Sequence, residues 1–179
     1  AIASENGLLD NRLEALRFTR DVLESNPKFV AAYFGYEPDT DGMDAAAAKA
    51  AGITATAAPL AAAAVDLPLP GSLATLPPQA IAPGGRFIPY WFRDRTDLSR
   101  VMLKPLVELD GLYYEGCRSR FLDGREADKA MVTEPYDYEG QLMVEQTYPI
   151  VVDGHFRGVA GVDRTLERIG SSLDSIKQS

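Results

Sequence analysis

The first apolar pattern along the chain repeats at helical spacing. The segment Ser4–Asn26 contains no Pro, and its leucines recur at positions 9, 13, 16 and 23. Steps of three, four and seven residues place these side chains on one face, so the pattern predicts a helix with Ser4 as its N-cap and Pro27 beyond its end. A helix of this length has more apolar face than one small sheet requires. Its leucines therefore either pack on their own domain or pair in part with a second copy of the chain.

Shorter apolar runs predict strands between turn signals. The aromatic-rich segment 29–36 predicts the first strand, 86–92 a second and 129–133 a short third strand. Leu112 to Phe121 has the spacing of a helix. These elements alternate with polar, turn-rich segments.

The clearest local signal is a hairpin around Asp153-Gly154, a preferred two-residue turn. Regular pairing across this turn places Val144 opposite Asp163. Because side chains alternate faces along a strand, Gln146 and Tyr148 would then share the face of Asp163, with Gly161 leaving room there for a ligand. Apolar positions at 166, 169, 173 and 176 predict a C-terminal helix after the hairpin.

The middle of the chain has the composition of an insertion. Residues 45–64 contain 13 Ala in 20, and residues 59–89 hold 7 of the 12 Pro. We therefore expect one domain over residues 1–179 with an Ala/Pro-rich insertion at about 45–83: a short helix at 45–51, an extended surface loop at 67–83, and nothing that the core needs. The element order predicts an α+β fold with an antiparallel sheet and the helices on one side.

Charge and composition exclude several classes of partner. The net charge is −8 and the sequence pI about 4.7, which disfavours nucleic acid and anionic membrane surfaces. One Cys and one His cannot build a Cys/His zinc site, and we expect no metal and no cofactor. No apolar run approaches the length of a membrane span. The start at Ala1 and the stop within a helical pattern indicate a piece of a longer protein.

Four blocks carry a family resemblance: GRFIPYWFRD at 85–94, LVELDGLYYEG at 106–116, VTEPYDYEG at 132–140 and TYPIVVDGHFRGVAGVD at 147–163. Together they resemble the extracytoplasmic Cache (PDC, PAS-like) sensor domains of bacterial membrane receptors. The resemblance implies a PAS-like antiparallel sheet of five to six strands with a long N-terminal helix, a C-terminal helix and a small-molecule pocket on one face. It further implies flanking transmembrane helices, a periplasmic position, homodimerisation through the first helix, and a cytoplasmic output domain such as a diguanylate cyclase or a kinase.

The resemblance also implies which residues bind the ligand. Asp163 matches the family's acid for a ligand ammonium group; its alternative role is the N-cap of the last helix. The other candidates are aromatic, basic or polar residues that match pocket positions or share the predicted hairpin face: Arg86, Tyr90, Trp91, Arg93, Tyr113, Tyr114, Glu134, Tyr136, Gln146 and Tyr148. Each aromatic could instead belong to the core. The expected ligand is a small polar metabolite: an amine, an amino-acid-like molecule or a small carboxylate.

Two rival functions remain open at this point. The domain could be a non-catalytic dimerisation or spacer module without a ligand, or a small hydrolase or lyase that uses carboxylates. Little favours an enzyme, because His155 falls in the hairpin turn and Cys117 has no obvious basic partner, so that a small buried side chain is its default role. We therefore expect no catalytic residue in this chain, although the full-length protein's output domain could be enzymatic.

Overall fold

The computed structural model describes residues 7–58, 61–64, 76–107, 109–124, 129–138 and 140–166. The helices are α1 (Arg12–Ser25), α2 (Asp44–Ala51) and α3 (Cys117–Leu122), and a π-helical turn, Leu112–Gly116, leads directly into α3. The strands are β1 (Ala31–Tyr36), β2 (Ala63–Ala64), β3 (Pro89–Arg93), β4 (Val101–Pro105), β5 (Met131–Val132), β6 (Tyr136–Tyr138), β7 (Gln141–Val152) and β8 (His155–Thr165).

All of these strands pair in one antiparallel sheet. The order is β2-β4-β3-β1-β8-β7-β5, and β6 also pairs with β7. The predicted α+β class with an antiparallel sheet is confirmed. The described residues form eight strands instead of five or six, because β2 and β5 add edge pairings of only two residues each. The predicted C-terminal helix falls almost wholly on residues 167–179, outside the described residues.

Helix α1 begins later than the leucine pattern predicts. Asn11 caps it, since the Asn11 side chain accepts a hydrogen bond from the Glu14 amide at 3.1 Å. The predicted helix is therefore wrong for residues 7–11, while Ser4 lies outside the described residues. Leu16 and Leu23 are fully buried against the sheet, so these two leucines stabilise the monomer and cannot contact a second copy.

Helices cover both faces of the sheet, which corrects the prediction that they lie on one side. Alternate residues of the central strand β1 point in opposite directions, and all six are buried. Phe34 packs with Leu16 of α1 on one face. Tyr33 packs on the other face against Tyr113 of the π-helical turn, with ring centroids 5.6 Å apart. The second face carries the cavity described below.

The segment before β3, residues 76–88, contributes buried residues to the core, contrary to the surface loop predicted over 76–83. The rest of that predicted loop, 67–75, lies outside the described residues. Two short 3₁₀ helices, Pro78–Ala80 and Pro83–Gly85, shape it, with Pro in the first turn of each. Ala80 and Ile81 are buried, and the Ala80 carbonyl accepts a hydrogen bond from the Ile88 amide at 3.0 Å. The Pro-rich composition predicted an exposed loop here, although these two apolar side chains are buried. Helix α2 confirms the short helix predicted at 45–51, and the domain division itself stays a prediction.

The β7–β8 hairpin has the predicted turn but not the predicted register. Asp153 and Gly154 have φ values of 51° and 74°, as a type I′ turn requires. A β-bulge follows: Val151 pairs with Phe156, but Ile150 pairs with Gly158, leaving Arg157 as the extra residue. Beyond the bulge the pairing is displaced by one residue, so Glu145, not Val144, lies opposite Asp163.

Candidate functional site

A cavity of about 390 Å³ lies between the sheet and the π-helical turn. Strands β3, β7 and β8 supply its floor, residues 106–107 and 111–113 its roof, and the segment 133–138 one wall. The roof is apolar at its mouth, where Leu112 is 75% exposed and Val107 38% exposed. Leu112 and Val107 are therefore available to contact the apolar part of a bound molecule.

Two carboxyl groups form the most polar part of the floor. Glu145 and Asp163 are direct cross-strand partners on β7 and β8, so their side chains leave the sheet on the same face. Their exposed fractions are 5% and 1%. Backbone pairing fixes Glu145, whose amide donates to the Thr133 hydroxyl at 2.9 Å and whose carbonyl accepts from the Thr133 amide at 3.0 Å.

Three phenols surround the acid pair. The Tyr90 hydroxyl donates to Asp163 Oδ2 at 2.7 Å, and the Tyr33 hydroxyl donates to Glu145 Oε1 at 3.2 Å. Burial, the charges of Glu145 and Asp163, and a hydrogen bond to Glu145 raise the pKa of Tyr136. Burial and the same two acids raise the pKa of Tyr33 well above the ordinary phenol value, and burial and Asp163 do the same for the pKa of Tyr90. The phenols therefore stay protonated and act as hydrogen-bond donors.

Asp163 has an unused acceptor. Its Oδ1 atom is buried and accepts no hydrogen bond from the described residues, and no ion pair within the described part of the chain includes this carboxylate. Burial and then the charge of Glu145 raise the pKa of Asp163 well above its ordinary value, against the lowering effect of the Tyr90 hydrogen bond. A cationic group with N–H donors placed in the cavity would satisfy Oδ1 and oppose both effects.

A lysine lines the same cavity beside this floor. Lys104 of β4 donates from Nζ to the Tyr138 hydroxyl at 3.1 Å. Its ammonium group also lies 5.0 to 5.5 Å from the ring centroids of Tyr90, Phe92 and Tyr138, within the range of cation–π attraction. The cavity therefore presents a positive group as well as two acids.

Five of the predicted ligand-binding residues line the cavity: Tyr90, Tyr113, Glu134, Tyr136 and Asp163. Their positions come from different elements, which the fold brings together. Tyr113 is held by a hydrogen bond from its hydroxyl to the Val107 carbonyl at 2.5 Å. These placements agree with the resemblance, while the binding role of each residue stays a prediction.

Four other candidates do not line this cavity and make structural contacts instead. The fully buried Trp91 indole donates to the Leu16 carbonyl at 3.0 Å, which ties β3 to α1. Arg93 donates to the carbonyls of Leu23 and Phe29, next to the C-terminal end of α1. Arg86 contacts the buried Tyr114, donating to its hydroxyl at 2.5 Å, and the Tyr114 hydroxyl in turn donates to Glu37.

The last two candidates lie on the opposite face of the sheet. Because of the bulge, Gln146 and Tyr148 line a separate cavity of about 290 Å³ on the α1 side. Placing them beside Asp163 was wrong. The space at Gly161 was also misassigned: a Cβ built there would lie 2.2 Å from the Tyr33 ring, so Tyr33 fills the gap that we expected a ligand to use.

Comparison with known proteins places this geometry in a family. No family model and no curated protein matches the chain. Among solved structures, the extracellular domain of mmHK1S-Z3, a proposed histidine kinase, is 31% identical with a TM-score of 0.61, over 89% of this chain and 46% of that chain. The corresponding domain of mmHK1S-Z2 is 32% identical with a TM-score of 0.60, over 88% of this chain and 46% of that chain. This chain belongs to the Cache (PDC, PAS-like) sensor domains.

A more distant structure has the same fold. Methyl-accepting chemotaxis protein X is 21% identical with a TM-score of 0.56, over 92% of this Cache domain and 50% of that chain. The Cache domain thus spans about half the length of the solved structures that it matches. Among the described residues, no helix is both long and apolar enough to cross a bilayer, and no group of three or more His, Cys, Asp or Glu side chains could hold a metal ion.

Sequence reasoning missed two charged residues of the site. Glu145 was overlooked because regular hairpin pairing put Val144 in its place; Gly158, a residue that can adopt the positive φ of a bulge, was the available signal. Lys104 was overlooked because its segment had no assigned strand. Alternation of Val101, Leu103 and Pro105 with Met102 and Lys104 would have placed Lys104 on the face opposite Leu103.

Proposed function

We propose that this Cache domain is the extracytoplasmic ligand-binding part of a membrane signalling protein, and that it recognises a small molecule through a cationic group held by Asp163. The main support is the buried Oδ1 of Asp163, which accepts no hydrogen bond from the described residues, in a residue that lines a cavity of about 390 Å³. A buried acceptor without a donor costs stability, and a ligand N–H group would remove that cost.

The rest of the cavity supports a small amine or an amino-acid-like ligand. Tyr113 and Tyr136 offer aromatic walls, and Leu106, Val107 and Leu112 offer apolar ones. Lys104 would hold a carboxylate or another acceptor at the far end of such a molecule. A ligand with only an anionic group fits less well, because the acid pair would repel it.

Occupancy would reach the rest of the protein through the terminal helices. The similarity to extracellular domains of proposed histidine kinases supports a periplasmic position, flanking transmembrane helices and a cytoplasmic output domain. A ligand can shift such a receptor only by binding one arrangement of the domain more tightly than the other. Homodimerisation through α1 is part of this proposal and would use residues other than the buried Leu16 and Leu23.

A thermal unfolding screen tests the proposal. The chain is mixed separately with primary amines, amino acids, short carboxylates and purines, and with the Asp163→Asn variant as a parallel sample. A ligand at 100 times its Kd should stabilise the wild type by about 2.7 kcal/mol. Losing a charged hydrogen bond should weaken binding by roughly 10- to 150-fold.

The control is Asp153→Asn, a surface change in the hairpin turn that should leave the response unchanged. If only carboxylates or purines stabilise the chain, or if the variant Asp163→Asn binds amines as tightly as the wild type, the role of Asp163 is wrong. If nothing stabilises it, the spacer interpretation is favoured.

A further inference from the structure

Glu145 makes the site a two-acid site, and its position is fixed by the fold. The two carboxyl groups are cross-strand partners, both nearly fully buried. Negative charges on two neighbouring buried side chains repel each other strongly, since burial reduces the screening by solvent. An arrangement of this kind retains a proton unless a cation is present.

The surrounding groups do not supply that cation at Asp163. The titratable residues that line the same cavity or contact the pair come from β1, β3, β4, β6, the roof and the wall: Tyr33, Tyr90, Lys104, Tyr136, Tyr138, Tyr113 and Glu134. All but Lys104 and Glu134 are phenols. The Lys104 ammonium donates to Tyr138 among three aromatic rings, and no ion pair between Lys104 and Asp163 is present in the described part of the chain.

The hydrogen bonds around the pair also leave a place for one proton. Tyr90 donates to one oxygen of Asp163, and Tyr33 donates to one oxygen of Glu145. Asp163 Oδ1 receives no donor from the described residues, while a hydrogen bond between the two carboxyl groups, formed when one is protonated, raises the pKa of Asp163. A proton on this oxygen would satisfy both acids at once.

We propose that Glu145 and Asp163 share one proton in the empty site, and that a ligand's cationic group binds by displacing it. This inference rests on the proposed function for its second half only. On binding, the carboxyl O–H bond breaks and its proton passes to the solvent. The ligand keeps its own charge and donates N–H bonds to the oxygens that the proton had bridged.

The proton exchange makes binding depend on pH. Over the range in which the empty pair holds its proton, the affinity should rise about tenfold per pH unit, and it should level off once the proton is lost. Acidification would therefore weaken the response to an amine that is itself fully charged. Occupancy of the site would therefore depend on both the ligand concentration and the pH.

Carboxyl ¹³C NMR of the chain tests the first half without any ligand. We expect one carboxyl group of the pair to remain protonated well above the ordinary Asp and Glu range, and Glu145→Gln to move the titration of Asp163 to lower pH, since the like charge is gone. An unchanged midpoint in Glu145→Gln would overturn the shared proton. So would ordinary titration of both acids in the wild type. Asp153→Asn serves as the control, and unfolding temperatures verify that each variant is folded.

Ethylammonium chloride tests the second half, because this probe stays cationic throughout the pH range used. Calorimetry in buffers of different ionisation enthalpy should show about one proton released per ethylammonium bound to the wild type, and fewer for Glu145→Gln. Binding without proton release would overturn the exchange. Failure of ethylammonium and the other amines to bind at all would overturn the exchange together with the proposed function. The titration of the empty pair is read independently, so the two failures are distinguishable.

Discussion

At the scale of single residues, the Asp163 carboxyl makes the stability of the fold depend on pH. Its pKa is raised in the folded chain, by burial and by Glu145, so the folded state holds a proton that the unfolded state loses near the ordinary Asp value of about 3.9. The folded state therefore binds more protons between these two pKa values. Stability from this group is present at low pH and is lost as the pH rises towards the raised value.

Asp163→Asn should remove the loss of folding stability that the wild type shows as the pH rises. We expect the unfolding temperature of the variant, relative to the wild type, to increase from about pH 4 upward until the raised pKa is passed, because Asn stays neutral. Thermal unfolding of both proteins across pH 4 to 8 measures the difference. A difference that is constant with pH would mean that Asp163 ionises normally in the fold.

Gly161→Ala tests how closely Tyr33 packs on the sheet. The added methyl group would lie 2.2 Å from the Tyr33 ring, so the ring must move out of a filled core, at a cost of about 1–3 kcal/mol. Urea unfolding measures the cost. Gly116→Ala is the matched control: its Cβ would meet Met131 at 3.4 Å and Leu112 at 3.9 Å, which are ordinary contacts, and a helical Gly→Ala change should be neutral or stabilising by up to about 1 kcal/mol.

The sequence predicted individual site residues when their position depended on local pattern or resemblance. Asp163 and Tyr136 were found in this way. Trp91 was misassigned because an aromatic side chain that binds a ligand and one that donates to a helix carbonyl look the same in a sequence. To predict that Glu145 belongs to the site, one needs the register of β7 against β8. Hydrophobic alternation alone did not reveal the one-residue shift in that register.

At the scale of elements, a buried ion-pair cluster fixes the start of α1. Arg12 donates to both oxygens of Asp41 at 2.6 Å, to Asp44 at the start of α2, and to the Gly85 carbonyl at 2.7 Å. The Arg12 and Asp41 side chains are almost fully buried. One guanidinium group therefore joins α1, α2 and the segment before β3.

Arg12→Met should be strongly destabilising, because it leaves two carboxylates without their cation. Breaking a buried pair in this way costs about 3–5 kcal/mol, which chemical unfolding would detect. The control is Arg17→Met on the same helix, where the partly exposed pair with Glu14 spans 3.5 Å and should contribute less than about 1 kcal/mol. Equal effects of the two changes would show that the cluster does not hold α1 in place.

A second experiment tests whether the segment before β3 stabilises the fold, since the sequence predicted that this segment is dispensable. Ile81 is 1% exposed within the α1-side core, and Ile81→Ala should cost about 2–5 kcal/mol. Replacing residues 50–83 with a Gly/Ser linker should therefore destabilise the chain instead of leaving its unfolding temperature unchanged. A linker variant with wild-type unfolding would restore the original expectation.

At the scale of the whole molecule, the sheet separates the cavity from α1. Neighbouring residues of β1 serve opposite faces, with Tyr33 beside the acid pair and Phe34 stacked with Phe18 of α1 at 6.3 Å. The sequence indicated the fold class because long periodic segments and the hairpin turn are local features. Which face each helix covers depends on packing between distant segments, and that was predicted wrongly.

Hydrogen exchange should follow this layered arrangement. Strand β1 pairs with β3 on one side and β8 on the other, so its amides should exchange most slowly and report global unfolding. The edge strands β2 and β5 should exchange faster. If β1 amides exchange as fast as those of the edges, the sheet opens locally at its centre and cannot transmit a rigid displacement from the cavity to α1.

Because of the bulge at Arg157, the number of residues in the hairpin determines which residues are cross-strand partners. Eighteen positions separate Glu145 from Asp163, an interval that pairs the two acids only because Arg157 is left unpaired. A chain without the bulge would need one residue fewer to keep the same pair. Deleting Arg157 should therefore preserve the acid pair, whereas deleting one residue between Gly158 and Asp163 should turn the carboxylate to the α1 side. In this hairpin, an insertion or deletion of one residue decides which side of the sheet carries the site.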